Sequence, residues 1–307
     1  MECANLGNRR RRIVALLGGA SGSGKTALAI PLAERLGLEI LSADSGQSRQ
    51  GLSIGTAVPS PSDLDRVRHH LLADIAPDAE DSVALYLDRA DLVLQSPGPD
   101  LLAVGGTGQF LQGLRDGLAP MPPPDPLLRQ ELSERLRREG SETLWRELAD
   151  RTEPPHDARA NPVRLLRALE KSILSQRGVQ GESRPALAPT AQVFALQLER
   201  EVLHKRLEKR LGRMLEDGWR EEVRHLARLV PDSAPCWKCI GYEPLRATLE
   251  FAQVPTGTVR RILEATRQYA KRQETWLRNR LHPIWVEANR PLDPILQDVL
   301  AKLETPL

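Results

Sequence analysis

Cysteine is nearly absent from this 307-residue sequence: Cys3, Cys236 and Cys239 cannot staple a disulfide scaffold, and their scarcity points to a reducing compartment. Cys236 and Cys239 form a C-x-x-C, yet no second Cys/His pair stands nearby to complete a tetrahedral zinc site, so two small side chains at a turn is the preferred reading. No apolar run approaches the length needed to cross a bilayer, which argues against a membrane protein. Arg9 to Arg12 followed by an apolar stretch copies the outline of a secretion signal, but the stretch is short and leads into a glycine loop instead of a cleavage site. It reads as the first strand of a cytoplasmic protein. Net charge is also scarce, only +2, although basic residues crowd the start, the middle and the last quarter.

What is present starts with Gly19-Ala20-Ser21-Gly22-Ser23-Gly24-Lys25-Thr26, a full match to the G-x-x-x-x-G-K-[ST] phosphate-binding loop. The apolar strand Ile13–Leu17 precedes it and a helix over Ala27–Leu36 follows, which is the context the motif needs. Glycines let the backbone form a nest of N–H donors, Lys25 adds a point charge, Thr26 offers a hydroxyl to Mg²⁺, and the helix N-terminus favours an anion. The loop therefore holds a di- or triphosphate; whether the phosphate is transferred, hydrolysed or expelled stays open at this point.

A second strand, Glu39–Ser42, delivers Asp44 and Ser45 to its carboxyl end, where ligands gather in open α/β sheets. Position alone does not separate a ligand-facing Asp44 from an N-cap or a Mg²⁺-ordering residue. A third strand, Leu101–Val104, runs into Gly105-Gly106-Thr107-Gly108 and puts Thr107 on the same rim. The alternation of strand, glycine loop and helix predicts an α/β fold: a P-loop NTPase-like parallel sheet with flanking helices, plus a helical insertion domain. His69 and His70 are adjacent, so they neither point the same way in a strand nor share a helix face, and a structural role is expected.

The proline-rich stretch 119–126 is a stiff connector. Beyond it, Leu127–Leu148 and Pro162–Gln176 have helical periodicity, and Arg177–Thr190 is a Gly/Pro/Ser break. The predicted organisation is a first part of the core over 1–119, a helical insertion over 120–188, and completion of the core with basic C-terminal helices over 189–307. In that last part Val193–Leu198 reads as a strand, and Leu203, Leu207, Leu211, Met214 and Leu215 mark a buried helix face. The other faces of that helix, and a long helix over about 258–280, are basic, with Tyr269 and Trp276 interleaved. Cations for phosphates and aromatics for exposed bases suit single-stranded RNA, although a basic helix by itself is more often a solvated face. No internal repeat or known RNA-binding module is visible.

In order along the chain, the P-loop, Ala43-Asp44-Ser45 with Gln47, Ile54-Gly55-Thr56-Ala57, His69-His70-Leu71, Val104-Gly105-Gly106-Thr107, Arg164 to Glu170, Gly241-Tyr242, and Thr266-Arg267-Gln268-Tyr269-Ala270-Lys271-Arg272-Gln273 with Thr275-Trp276 resemble the bacterial tRNA dimethylallyltransferases over nearly the whole chain. The resemblance implies transfer of a dimethylallyl group from dimethylallyl pyrophosphate, with Mg²⁺, to the N6 amine of the adenosine just 3′ of the anticodon (position 37). It implies Asp44, Thr107 and Lys25 as catalytic residues, Gly19 to Thr26 and Arg200 as the pyrophosphate site, and Thr26 as the metal residue. It further implies tRNA contacts at Asp44, Ser45, Gly46, Gln47, Thr107, Arg129, Val163, Arg164, Leu165, Leu166, Arg167, Lys238, Cys239, Ile240, Gly241, Tyr242, Glu243, Lys271, Arg272, Gln273, Trp276 and Arg278. Gln47 would read an adenine edge, because its amide both donates and accepts. The implied partner is the anticodon stem-loop, with no protein partner and a monomeric state. The chain departs from the family pattern where Arg49 replaces an aromatic residue, Val58 a lysine and Gly46 a larger side chain, and where Ala158-Arg159-Ala160-Asn161 stands for His-Pro-Asn-Asp. By the same resemblance a bacterial form, without the zinc-finger extension of eukaryotic relatives, is expected. Two other classes share the P-loop: a small-molecule kinase or NTPase, whose basic helices would be mere surface, and a nucleotide-regulated RNA-binding protein without catalysis.

Overall fold

The computed structural model describes residues 9–155 and 158–304, so Cys3 lies outside the described residues. The chain divides into two compact units, Met1–Asp116 together with Ala186–Leu307, and Gly117–Pro185. The expected insertion boundaries, 120 and 188, shift because Leu118 and Arg184 exchange backbone hydrogen bonds (2.8 and 3.0 Å) and close the second unit. Leu187 and Ala188 instead donate to Leu114 O, at 2.9 and 2.8 Å.

The first unit is organised on strands whose apolar residues run almost without interruption, as expected of a parallel sheet covered on both faces. β1 (Ile13–Gly19) is followed by α1 (Lys25–Leu36), β2 (Glu39–Ser42), α2 (Pro61–Arg66), β3 (His69–His70), α3 (Val83–Gln95), β4 (Leu101–Val104) and α4 (Gly108–Asp116). After the second unit come β5 (Gln192–Gln197), α8 (Arg200–Glu216), α9 (Trp219–Leu229), a 3₁₀ turn at Pro235–Lys238, α10 (Tyr242–Arg246), α11 (Thr256–Trp276), β6 (Ile284–Glu287) and α12 (Leu292–Glu304). The strands lie in the order β3-β2-β4-β1-β5-β6, and each neighbouring pair is parallel. β1 is central, so the loop that follows it opens at the middle of the sheet's carboxyl edge.

α1 begins at Lys25, two residues earlier than its apolar periodicity suggests. Gly24 sits at its N-cap with φ 98°, a left-handed conformation that turns the chain from β1 straight into the helix. The long basic helix ends at Trp276, where the backbone loosens into a π-helical turn over Leu277–Leu281. A second apolar cluster, centred on Trp219, Tyr242, Val223 and Leu245, packs α8, α9, α10 and the turn at Cys236 against Leu52 and Ile262.

The second unit holds α5 (Pro126–Glu139), α6 (Ser141–Arg151) and α7 (Pro162–Gln176) around Leu132, Leu144, Leu148, Leu165 and Leu169. The expected helix over 127–148 is two helices, broken at Gly140, whose φ is 82°. Asp125 and Asn161 cap α5 and α7 by accepting from the first free amides.

Candidate active site and RNA interface

Three loops meet at the carboxyl edge of the sheet: the P-loop after β1, the Asp44 loop after β2 and the Gly105–Gly108 loop after β4. They frame one side of a cavity of about 520 Å³; α8, α11 and the turn at Cys236–Cys239 supply the other walls. Ser21, Asp44, Ser45, Thr107, Arg210 and Tyr269 line it.

Asp44 Oδ1 accepts from Gly46 N at 3.0 Å and Gln47 N at 3.3 Å, so the loop's own amides hold the carboxylate in place. Oδ2 takes no hydrogen bond from the described residues and faces the Gly106 turn. Thr107 Oγ1 accepts from Ser45 N at 3.0 Å and donates to Ser45 Oγ at 3.2 Å, tying the second loop to the third. Burial first and the Asp44 charge second push the Tyr269 hydroxyl up to about 12, against a smaller opposing influence of Thr107.

Of the P-loop residues only Ser21 lines the cavity. Lys25 Nζ is folded onto its own loop, donating to Gly19 O at 2.9 Å and Ala20 O at 3.0 Å. Burial lowers its pKa to about 8, against an opposing pull from Asp44 and with a smaller push from Arg210. Ser23 Oγ is buried without a hydrogen-bond partner among the described residues. Thr26 is half-buried on the first turn of α1. No cluster of three His, Cys, Asp or Glu residues able to hold a metal occurs among the described residues. Cys236 and Cys239 are free, and burial pushes the Cys239 thiol up to about 11.

Several expected contact residues have other positions. Gln273 is 4% exposed and bridges two loops, accepting from Ser21 N at 2.8 Å and donating to Gly106 O at 2.9 Å, so its amide is committed inside the protein. Both N–H groups of Gln47 Nε2 go to Thr56 O (3.2 Å) and Ala57 O (3.0 Å), so the donor end of this side chain is engaged within the protein. Gly241 and Tyr242 are buried, Tyr242 in the wall of the cavity, and Leu165 and Leu166 belong to the core of the second unit. Arg129 and Arg167 pair with the buried Glu170, and Arg167 also donates to Pro122 O at 2.7 Å. Val163, Arg164, Lys238, Glu243, Lys271, Arg272 and Arg278 are exposed, while Cys239, Ile240 and Trp276 are half-buried.

Arg200 is exposed on the first turn of α8. Farther along the helix, Leu203 and Leu207 pack under Gly22, and Arg206 Nη1 lies 3.9 Å from where a β-carbon at Gly24 would be. Arg210 is the residue the sequence reading missed as a site residue: half-buried in the cavity wall, with, among the described residues, one long hydrogen bond to Thr56 O at 3.5 Å. Its spacing from Leu207 and Leu211 marks a helix boundary between apolar and basic faces, which by itself gave no sign of a pocket. His69 and His70 have structural roles: His69 Nδ1 bonds Val67 O at 2.8 Å, and His70 Nε2 bonds Glu39 at 2.6 Å.

The IPP transferase family model matches residues 47–280, and the isopentenyl transferase model matches residues 12–76. The tRNA dimethylallyltransferase of Geobacter metallireducens is 38% identical over 293 residues, covering 92% of this chain and 94% of that protein. The enzyme of that name from Thermus thermophilus is 38% identical over 274 residues, covering 87% and 89%. Among solved structures, the tRNA delta(2)-isopentenylpyrophosphate transferase of Staphylococcus epidermidis superposes with a TM-score of 0.68 at 25% identity, covering 95% of this chain and 99% of that one. The full-length tRNA isopentenylpyrophosphate transferase of Bacillus halodurans gives 0.66 at 26% identity, covering 96% and 97%. With the IPP transferase model matched over more than half of its residues and relatives matched across nearly its whole length, the chain belongs to the IPP transferase family, that of the tRNA dimethylallyltransferases.

Proposed function

We propose that this protein transfers a dimethylallyl group from dimethylallyl diphosphate to N6 of the adenosine 3′ to the anticodon, acting as a cytoplasmic monomer on the anticodon stem-loop. The observation that carries the reading is the shared cavity: Asp44, whose Oδ2 takes no hydrogen bond from the described residues, lines it together with the P-loop's Ser21. In the reaction the N6 lone pair attacks C1 of the allyl group as the C1–O bond breaks. The bonding electrons leave on the diphosphate, and Asp44 takes the proton from the amine. Charge grows on the departing oxygens, so donors already aimed at them stabilise the transition state more than the ground state. Lys25 exchanges its two carbonyl partners for those oxygens. Thr107 keeps the Asp44 loop in register through Ser45.

The donor set fits Mg²⁺, which needs few protein ligands and keeps several waters: Thr26 offers a hydroxyl at a helix N-terminus, and substrate oxygens supply the rest. When bound, the ion would neutralise part of the diphosphate charge. The target base has to leave its stack to enter a cavity, and the exposed cations of α11 suit the flanking phosphates.

The test is incubation of purified protein with unmodified tRNA, Mg²⁺ and dimethylallyl diphosphate, followed by nucleoside mass spectrometry. Isopentenyladenosine is the expected product. Its absence, together with brisk ATP turnover, would support a P-loop kinase instead.

A further inference from the structure

The loop over residues 53–57 is held from outside the P-loop region by one carboxylate. Glu222, in the first turn of α9, accepts from Ser53 N and Ile54 N at 2.7 Å each, from Gly55 N at 3.2 Å and from Tyr242 Oη at 2.7 Å. Three successive backbone N–H groups closing on one anion form a nest, here filled by the protein's own side chain. Packing locks the same loop. A β-carbon at Gly55 would lie 2.0 Å from Trp219 Nε1 and 2.6 Å from Tyr242 Oη, so only glycine fits. Trp219 and Tyr242 meet edge to face, their centroids 5.6 Å apart.

The far end of the loop reaches Asp44. Thr56 O and Ala57 O take both donors of Gln47, and Gln47 N in turn donates to Asp44 Oδ1. Ala57 stands at φ 52°, a left-handed conformation that disfavours a residue with a β-carbon and persists only where its surroundings hold it. We propose that Glu222 is a positioning residue for the transfer step: by clamping residues 53–55 it sets the Thr56 and Ala57 carbonyls, which orient Gln47 and so fix the Asp44 carboxylate. Glu222 is not among the cavity-lining residues, so it acts through this chain of contacts. The proposal rests on the reading of Asp44 as the group that takes the amine proton.

Glu222→Gln keeps the shape of the side chain but gives up one acceptor oxygen and adds N–H groups facing N–H groups. Tyr242→Phe removes a single hydrogen bond and is the milder variant should the first fold poorly. Single-turnover and steady-state assays should show kcat reduced about 10- to 100-fold in E222Q, the scale of a misplacement near 1 Å, and less in Y242F. KM for tRNA and for the allylic diphosphate should stay within about twofold. Combining E222Q with Asp44→Asn is decisive. If Glu222 works by placing Asp44, the double variant is no slower than D44N alone. A full, additive loss in the D44N background overturns the proposal, as does an E222Q enzyme of normal kcat that merely melts earlier. Normal turnover by D44N itself would instead defeat the assignment of Asp44, a result distinguishable from either.

Discussion

Raising the pH from 7 to 9.5 should weaken capture of the allylic diphosphate through one group. Burial strips water from Lys25 and brings its pKa down to about 8. The free enzyme therefore loses this positive charge within the range where tRNA and protein are both handled easily. If only the ammonium form binds, kcat/KM for the diphosphate follows the protonated fraction, roughly 90% at pH 7 and roughly 3% at pH 9.5, a fall of about 30-fold. An ordinary lysine near 10.4 would lose only about a tenth of its charge over the same interval. The measurement is kcat/KM for dimethylallyl diphosphate at saturating tRNA and constant ionic strength, for the natural enzyme and Lys25→Arg. The arginine variant, always charged, should be slower throughout but lack the alkaline limb. Tyr269 near 12 and Cys239 near 11 lie above the window and do not contribute. Alkaline unfolding through Lys25 is separable by sign. A lysine depressed in the folded state leaves the unfolded chain binding more protons between about 8 and 10.5, so its effect on stability is to raise it with pH in that window. A flat profile to pH 9.5, or an unchanged limb in Lys25→Arg, would refute the argument.

Asp44→Asn should lower the chemical step by about two to four orders of magnitude, the range for a lost general base, with tRNA affinity by filter binding nearly unchanged. Changing Lys271 and Arg272, both exposed on α11, to Ala together should weaken tRNA binding and reduce the slope of log K against log salt by roughly 1 to 2; an unchanged slope would place the RNA elsewhere. Glu170→Ala should destabilise the second unit by about 1–3 kcal/mol in thermal unfolding, because it leaves the Asp125 amide without its acceptor and unpairs Arg129 and Arg167, whose side chains still reach solvent. Burial alone would raise the Glu170 pKa, but the hydrogen bonds from Arg129 and Arg167 outweigh it and leave the carboxyl low. Its contribution should accordingly be present above the ordinary carboxylate range and be lost as pH falls through the depressed value.

Motifs whose chemistry is local could be read directly. The glycines and Lys25 of the P-loop announce a phosphate nest because the backbone shape they allow is set within eight residues, and α7 begins and ends where Pro162 and Gln176 suggest. Relations made by packing were hidden. Nothing near Arg210 in sequence says that its helix closes a cavity 166 residues after Asp44, and β6, four residues long, carries too short a pattern to show. The aromatic–cation mixture of α11 pointed to RNA, but its Gln273 turns inward; only the fold distinguishes a helix face that meets solvent from one that straps two loops together. Glycines were similarly ambiguous. Gly55 entered only as part of a motif, and the reason for a glycine there is an indole lying where a β-carbon would go.

The departures from the family pattern act on the cavity wall and leave its chemical groups alone. Arg49 is 7% exposed, and its Nη1 donates to Pro77 O at 3.0 Å and Ala79 O at 2.7 Å, so a residue at an aromatic position has become a clip on the chain after β3. The residues that follow this clip, Glu80, Asp81 and Ser82, line the cavity. Two directed hydrogen bonds to carbonyls fix that segment by orientation, where stacking would fix it by contact area alone. Gly46 works in the opposite sense. A β-carbon there would meet Thr56 Cγ2 at 3.0 Å, so glycine lets the Thr56 loop close on the Asp44 loop and brings the Thr56 carbonyl within reach of Gln47. Both changes therefore act on the loops that border the cavity, while Asp44, Thr107 and the P-loop keep the residue types on which the proposed transfer rests.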